Sequence, residues 1–323
     1  MSGSARRYVA HGYAVESDIG LSLPPAPAEA TGPADLVLSG GSWRDVPREP
    51  GRGELLALLE TEGETHYAMT RDTTGVTMRF GGCVEFAADP GLCRVRYHRD
   101  PGHPDGLVSV LASGTLLAVR LLLDRELVLH ASALDLGGRA VAFCGAPGMG
   151  KSTLATLLSQ AGMPLVTDDV LRVTFSARET IAWPGATESR LRDGGAALVD
   201  GLDPATVRAT ADGRRAVTPP ALCHGPLSLA AVVVPLPTRG LGRPEVDVLT
   251  GSDALLSLVR FPRVIGWRHG PTSSAQFQLL GELVERVPVA HVAVPGGPPF
   301  PPDLADSLRD AVDRVAAATR AHR

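Results

Sequence analysis

Gly145-Ala146-Pro147-Gly148-Met149-Gly150-Lys151-Ser152 fits the pattern G-x-x-x-x-G-K-[ST], with Thr153 directly after it. The octet stands between an apolar run, Ala140 to Cys144, that reads as a buried strand, and a stretch from Lys151 to about Ala161 that reads as a helix. Phosphate binding needs that order. Glycines let the backbone curl so that successive amides face inward, and the helix start adds the positive end of its dipole to the same place. Lys151 is then set to reach the β and γ phosphates, the Ser152 hydroxyl to ligate Mg²⁺, and Thr153 to add a phosphate contact. ATP and Mg²⁺ are the expected cofactors. The chain holds 30 arginines, no asparagine and one lysine, which is Lys151. Such a bias makes arginine uninformative and the retained lysine informative, because a guanidinium does not replace a compact ammonium everywhere.

Sixteen residues beyond Ser152 the run Pro164-Leu165-Val166-Thr167-Asp168-Asp169 reads as an apolar strand ending in two acids. A metal-holding carboxylate belongs at that place beside a phosphate loop. Neighbours on a strand point opposite ways, so one acid can face metal and nucleotide while the other faces an incoming hydroxyl. The expectation is Asp168 as general base and Asp169 on the metal side, in an order that the sequence leaves open.

Further out, the second half alternates strand and helix signals. Val128 to Leu134, Ala140 to Cys144, Pro164 to Asp168, Ala230 to Pro235 and Val289 to Val294 read as strands. Asp253 to Val259, Ala275 to Glu285 and a segment from about Pro302 read as helices, so a largely parallel sheet flanked by helices is expected. Residues 1–125 read instead as a smaller β-rich domain, with short alternating segments at His66 to Thr70, Val76 to Phe80, Val84 to Ala87 and Arg94 to His98. Leu107 to Leu123 carries apolar residues at helical spacing, and the Pro/Ala stretch Leu23 to Pro33 reads as a loop. Two domains follow, 1–125 and 126–323.

At 323 residues and 44% hydrophobic content the chain can bury two modest cores. A net charge of −4 without blocks of either sign gives no footprint for nucleic acid or anionic lipid. The absence of a signal-type leader or a long uninterrupted apolar run suggests a soluble, cytoplasmic protein. Cys83, Cys93, Cys144 and Cys223 lack zinc spacing, and neither disulfide nor structural zinc is expected.

The run from Leu127 to Val173, L-V-L-H-A-S-A-L-D-L-G-G-R-A-V-A-F-C-G-A-P-G-M-G-K-S-T-L-A followed by G-M-P-L-V-T-D-D-V-L-R-V, resembles the catalytic domain of the HPr serine kinase family, in particular its divergent HPr-kinase-related branch. His130 opening the first strand and the tight spacing from loop to Asp168-Asp169 carry the likeness. Tyr8 to Pro24 and Trp183 to Asp193 resemble further segments of those relatives. The resemblance implies an α/β fold, a P-loop domain of the phosphoenolpyruvate-carboxykinase-like arrangement, and ATP-dependent phosphorylation of a serine in a protein or peptide. It assigns Lys151 as phosphate clamp, Ser152 as magnesium ligand, Asp168 as base and His130 near the transferred phosphate. Glu188 and Arg190 reproduce an E-x-R spacing in which the acid supports the metal and the arginine the phosphates. The glycine-rich continuation of the bifunctional kinase/phosphorylases is missing, and Arg260 is a loose match to their C-terminal arginine. The branch is similar to kinases that tailor natural-product peptides, and a homo-oligomer is compatible with it. Two other readings stay open at this point: a nucleotide-binding regulatory module without transfer, and a kinase for a small-molecule hydroxyl.

Overall fold

The computed structural model describes residues 5–297 and 299–318. The chain divides into two compact units, one of Met1–Arg125, Thr210–Asp212 and Val264–Ala275, the other of Glu126–Ala209, Gly213–Arg263 and Gln276–Arg323. Two short segments that the sequence alone assigns to the second half therefore belong to the first unit.

The first unit is β-rich. Eight strands lie in the order Arg6–Ala10, Tyr13–Ser17, Leu36–Trp43, Arg94–Arg99, Val84–Ala88, Val76–Phe80, Glu64–Arg71, Glu54–Thr61. Strict alternation over Val76–Phe80 buries Val76, Met78 and Phe80 on one face. Both sheet edges are covered. On Arg6–Ala10 the covering comes from the Pro/Ala stretch, with Val9 N donating to Pro24 O and Ala26 N to Arg7 O. On Glu54–Thr61 it comes from the late segment, with Leu58 N donating to Gly266 O and Arg268 N to Leu56 O. Covered edges suppress strand addition by another chain. The apolar helical stretch runs Gly106–Leu111, a π turn at Ala112–Leu116, and Leu117–Leu123. Gly106–Leu123 is long and apolar enough by length and composition to cross a membrane, and half of it is buried inside the protein.

The second unit holds a nine-stranded sheet, and it is mixed rather than largely parallel. Among the described residues, Arg139–Cys144, Leu227–Thr238 and Val289–Pro295 pair in parallel, and the other pairings are antiparallel. The cause is local: Leu171–Phe175 returns as Thr180–Ala182 after a turn far too short for a crossover helix. Helices cover both faces. Along Arg139–Cys144, Ala140, Ala142 and Cys144 pack on one side with Ala254, Leu258, Leu280 and Leu283, while Val141 and Phe143 pack on the other with Leu154, Leu158, Leu308 and Val312. That period of two locks the strand that delivers the phosphate loop.

One irregularity creates the site. Segments 127–135 and 165–175 run antiparallel to each other, and both are interrupted at the same level. Leu129 pairs with Leu171 on one side of the gap and Ala133 with Thr167 on the other. His130 alone fills the gap in the first segment, and Asp168, Asp169 and Val170 fill it in the second. Continuing the register across the gap sets Ser132 opposite Asp168. The strand expected over Val128 to Leu134 is thus two strands broken at His130. Residues after Gly185 form a separate small sheet of Ser189–Leu191, Arg215–Val217 and Val207–Ala209 over a cluster of Leu191, Val199 and Val217.

Phe143, fully buried in the strand before the loop, tests this packing. Phe143→Ala is expected to cost about 3–5 kcal/mol in denaturant unfolding; a loss below about 1 kcal/mol would show that the strand is not locked as described.

Candidate active site

The candidate phosphate loop takes up a curled form through Gly148 at φ 91° and Gly150 at φ 87°, backbone that side-chain-bearing residues rarely adopt. Gly150 ends the loop and caps the helix Lys151–Gln160, accepting from Leu154 N. Lys151 is buried, its ammonium donating to Gly145 O at 2.8 Å and Ala146 O at 3.1 Å. Those bonds hold the cation at the loop. Burial pulls its pKa down, against the pull of Asp168 in the other direction. Met149 folds back so that its Sδ accepts from Ala146 N. Pro147 lies in the loop's turn, and Thr153 Oγ1 lies 3.3 Å from where a Cβ on Gly195 would stand.

Asp168 is buried at the gap and fully engaged. Its Oδ1 accepts from Ser132 Oγ at 2.5 Å and from Ser152 Oγ at 2.9 Å, and its Oδ2 accepts from Arg190 N at 2.9 Å. Burial raises its pKa, and these donors hold the rise in check. Asp169 sits at φ 75°, and Val170 N donates back to Asp168 O, so the chain makes a γ-turn of the rare, strained kind about Asp169. Its carboxylate meets three partners: Arg263 Nη2 at 2.6 Å and Arg190 Nη2 at 3.0 Å on Oδ2, and His130 Nε2 at 3.4 Å from Oδ1. Burial would raise the Asp169 pKa, but the guanidinium groups of Arg263 and Arg190 outweigh it and hold the carboxyl well below the usual carboxylate range.

His130 is mostly buried, and its pKa is pushed down to about 3, first by burial and then by Lys151, against the pull of Asp169. It is a neutral imidazole at working pH. Counting charges, Lys151, Arg190, Arg214 and Arg263 act on the pocket of Asp168 and Asp169, so it carries a surplus of positive charge.

The structure therefore brings together Lys151, Ser152, Asp168, Asp169, His130 and Arg190. It does not bring in Glu188, whose oxygens both accept from Arg208 Nη2 at 2.7 Å on the small sheet. Arg260 is exposed, and the arginine that reaches the acids is Arg263, a residue that the sequence reading misses. Ser132 is missed as well, although it stands two residues past His130, on the strand that begins at Ala131. Among the described residues no cluster of three His, Cys, Asp or Glu could hold a metal by itself. The Ser152–Asp168 pair nonetheless fits Mg²⁺, which takes one or two protein oxygens and fills its remaining positions with water and substrate phosphates.

No family model matches the chain, and no curated protein matches it. Among solved structures it is similar to the HPr(Ser) kinase/phosphatase from Coxiella burnetii, at 15% identity and a TM-score of 0.31, over 60% of this chain and 98% of that one.

Between pH about 6.5 and about 3 the folded protein leaves His130 neutral where the unfolded chain protonates it. Its contribution to stability is therefore full above that window and is lost as pH falls through it. His130→Asn is expected to flatten part of this loss when unfolding free energy is followed across the window. An unchanged slope would mean that the imidazole is not held neutral.

Proposed function

We propose that this chain is an ATP-dependent kinase that transfers the γ-phosphoryl group to a hydroxyl, with a serine of a protein or peptide as acceptor. The observation that carries the reading is the hydrogen bond of Ser152, last residue of the phosphate loop, to buried Asp168, with a second acid next to it in a strained turn. A second carboxylate beside the first can accept the proton of an attacking hydroxyl. The serine acceptor rests on the sequence resemblance alone.

The geometry favours an order of the two acids opposite to the one expected from sequence. Asp168 shares Ser152 with the loop and so stands where a metal-holding carboxylate stands. Asp169 lies beyond it, among His130, Arg190 and Arg263, and is the better proton acceptor by position. Ser152 and Asp168 would hold Mg²⁺, which would supply charge neutralisation to the phosphates. Lys151 holds the β and γ oxygens from the loop side. As the acceptor oxygen bonds to the γ phosphorus, the bond from phosphorus to the β–γ bridging oxygen breaks. Its electron pair leaves on ADP, and the hydroxyl proton passes to Asp169. An arriving γ-phosphate competes for the two guanidinium groups on Asp169, which frees that carboxylate for the proton.

Variants separate the roles. Asp169→Asn is expected to lower turnover by about 10²–10⁴-fold with ATP affinity retained. Asp168→Asn is expected instead to raise the Mg²⁺ concentration needed for half-maximal rate. Label transfer from γ-labelled ATP in cell extract reads both. Transfer that persists undiminished in Asp169→Asn would sink its role as base, and persistence in both variants would place the chemistry elsewhere; ATP binding with no transfer even by the unaltered chain would leave a nucleotide-binding module.

A further inference from the structure

Ser132 carries the hydroxyl of the strand Ala131–Asp135, whose other residues before Asp135 are apolar. Ala131 and Ala133 point to one face of the sheet, into the cluster with Cys144 and Val166. Ser132 and Leu134 point to the other face. Leu134 packs there with Phe143, the register partner of Ser132, and with Leu154 and Leu158 of the helix that follows the candidate phosphate loop. A fully buried hydroxyl in such company is costly unless it is hydrogen-bonded, and this one donates to Asp168 Oδ1 at 2.5 Å. An alanine, as at 131 and 133, would suit the packing; the serine suits the carboxylate.

Counting lone pairs shows what the bond does. An ionised carboxylate offers about four acceptor sites, two on each oxygen. On Asp168 both sites of Oδ1 are taken, by Ser132 Oγ and Ser152 Oγ, and one site of Oδ2 is taken by Arg190 N. Among the described residues that leaves one site, on Oδ2, for a metal ion or its water. Ser152 meets Oδ1 through its proton, so its own lone pairs stay available to the same ion. The three donors come from separate elements of the second unit, Ala131–Asp135, Lys151–Gln160 and Ser189–Leu191. Were Ser132 removed, Oδ1 would regain an open site, and the carboxylate could turn about its last bond to offer either oxygen.

We infer that Ser132 is a positioning residue: by closing Oδ1 it fixes the rotation of the Asp168 carboxylate and leaves Oδ2 for the divalent cation. The inference rests on Asp168 being the acid on the metal side.

Ser132→Ala, Ser132→Cys and Asp168→Asn test it in the full chain, each first checked for cooperative unfolding. Binding of a fluorescent ATP analogue is titrated with Mg²⁺ and, separately, measured in EDTA, and turnover is followed against Mg²⁺ concentration. Ser132→Ala is expected to raise the Mg²⁺ concentration for half-maximal analogue binding by about 10–100-fold, the scale on which partners that orient metal ligands act. Affinity in EDTA is expected to stay within about 2-fold, since no metal is then there to be oriented, and general loosening of the site would lower both. Turnover returns as Mg²⁺ is raised. Ser132→Cys, close in size with a weaker donor, shifts the Mg²⁺ dependence in the same direction by less. An unchanged Mg²⁺ dependence in Ser132→Ala, or an equal loss with Mg²⁺ and in EDTA, overturns the inference. Should Ser132→Ala not fold, wild-type Mg²⁺ dependence in Ser132→Cys overturns it instead. Asp168→Asn separates the failures: if its own Mg²⁺ dependence is unchanged, the metal-side assignment of Asp168 has failed, whereas a shift there beside an unshifted Ser132→Ala removes this inference alone.

Discussion

The hydrogen bond between Ser152 and buried Asp168 is the constraint on which the rest of the site depends. It ties the phosphate loop, delivered by one strand, to a break in a neighbouring strand pair, and it requires that break to lie at one level. Had segments 127–135 and 165–175 paired without interruption, Asp168 and Asp169 would alternate across a regular ladder, and Ser132 would have no buried carboxylate to serve. The interruption turns two consecutive acids into two differently placed ones. A strained turn about Asp169 costs on the order of 1–3 kcal/mol, and the partners found there, two arginines and a histidine, are what offsets it.

Environment then gives the acids different characters. Asp168 is surrounded by hydroxyls and an amide, so burial wins and its pKa rises. Asp169 is surrounded by guanidinium groups, so charge wins and its pKa falls. Pairs of titratable groups pushed apart in this way mark sites where proton and metal roles are divided. The same arginines give the pocket positive charge, and the neutral His130 beside them adds a donor or acceptor without adding charge.

Much of this was legible in the sequence because it is local. The candidate phosphate loop was singled out by glycine spacing and one lysine, and the acid pair by its distance from that loop; the structure sets Ser152 and Asp168 within hydrogen-bond distance. What failed was set by tertiary pairing. The sheet is mixed because hairpins such as Leu171–Phe175 with Thr180–Ala182 are read from register, and apolar runs carry no direction. His130 looked like the interior of one strand because its neighbours are apolar on both sides. Glu188 shares a strand neighbourhood with Arg190, yet Arg190 turns to Asp169 and Glu188 to Arg208. Arg263 lies 94 residues from Asp169 in a chain rich in arginine, and no local pattern singles it out. Nor does sequence order reveal that Val264–Ala275 rejoins the first unit.

The central claim is that this constellation moves a phosphoryl group onto a hydroxyl, and locating the phosphate tests it most directly. Purified protein with Mg²⁺ and γ-labelled ATP in cytoplasmic extract, beside Lys151→Ala, followed by size filtration and mass spectrometry, shows where the label goes. The account predicts label on a serine of a protein or peptide, absent with the variant. Label released only as inorganic phosphate, or transfer indifferent to Lys151, would contradict it.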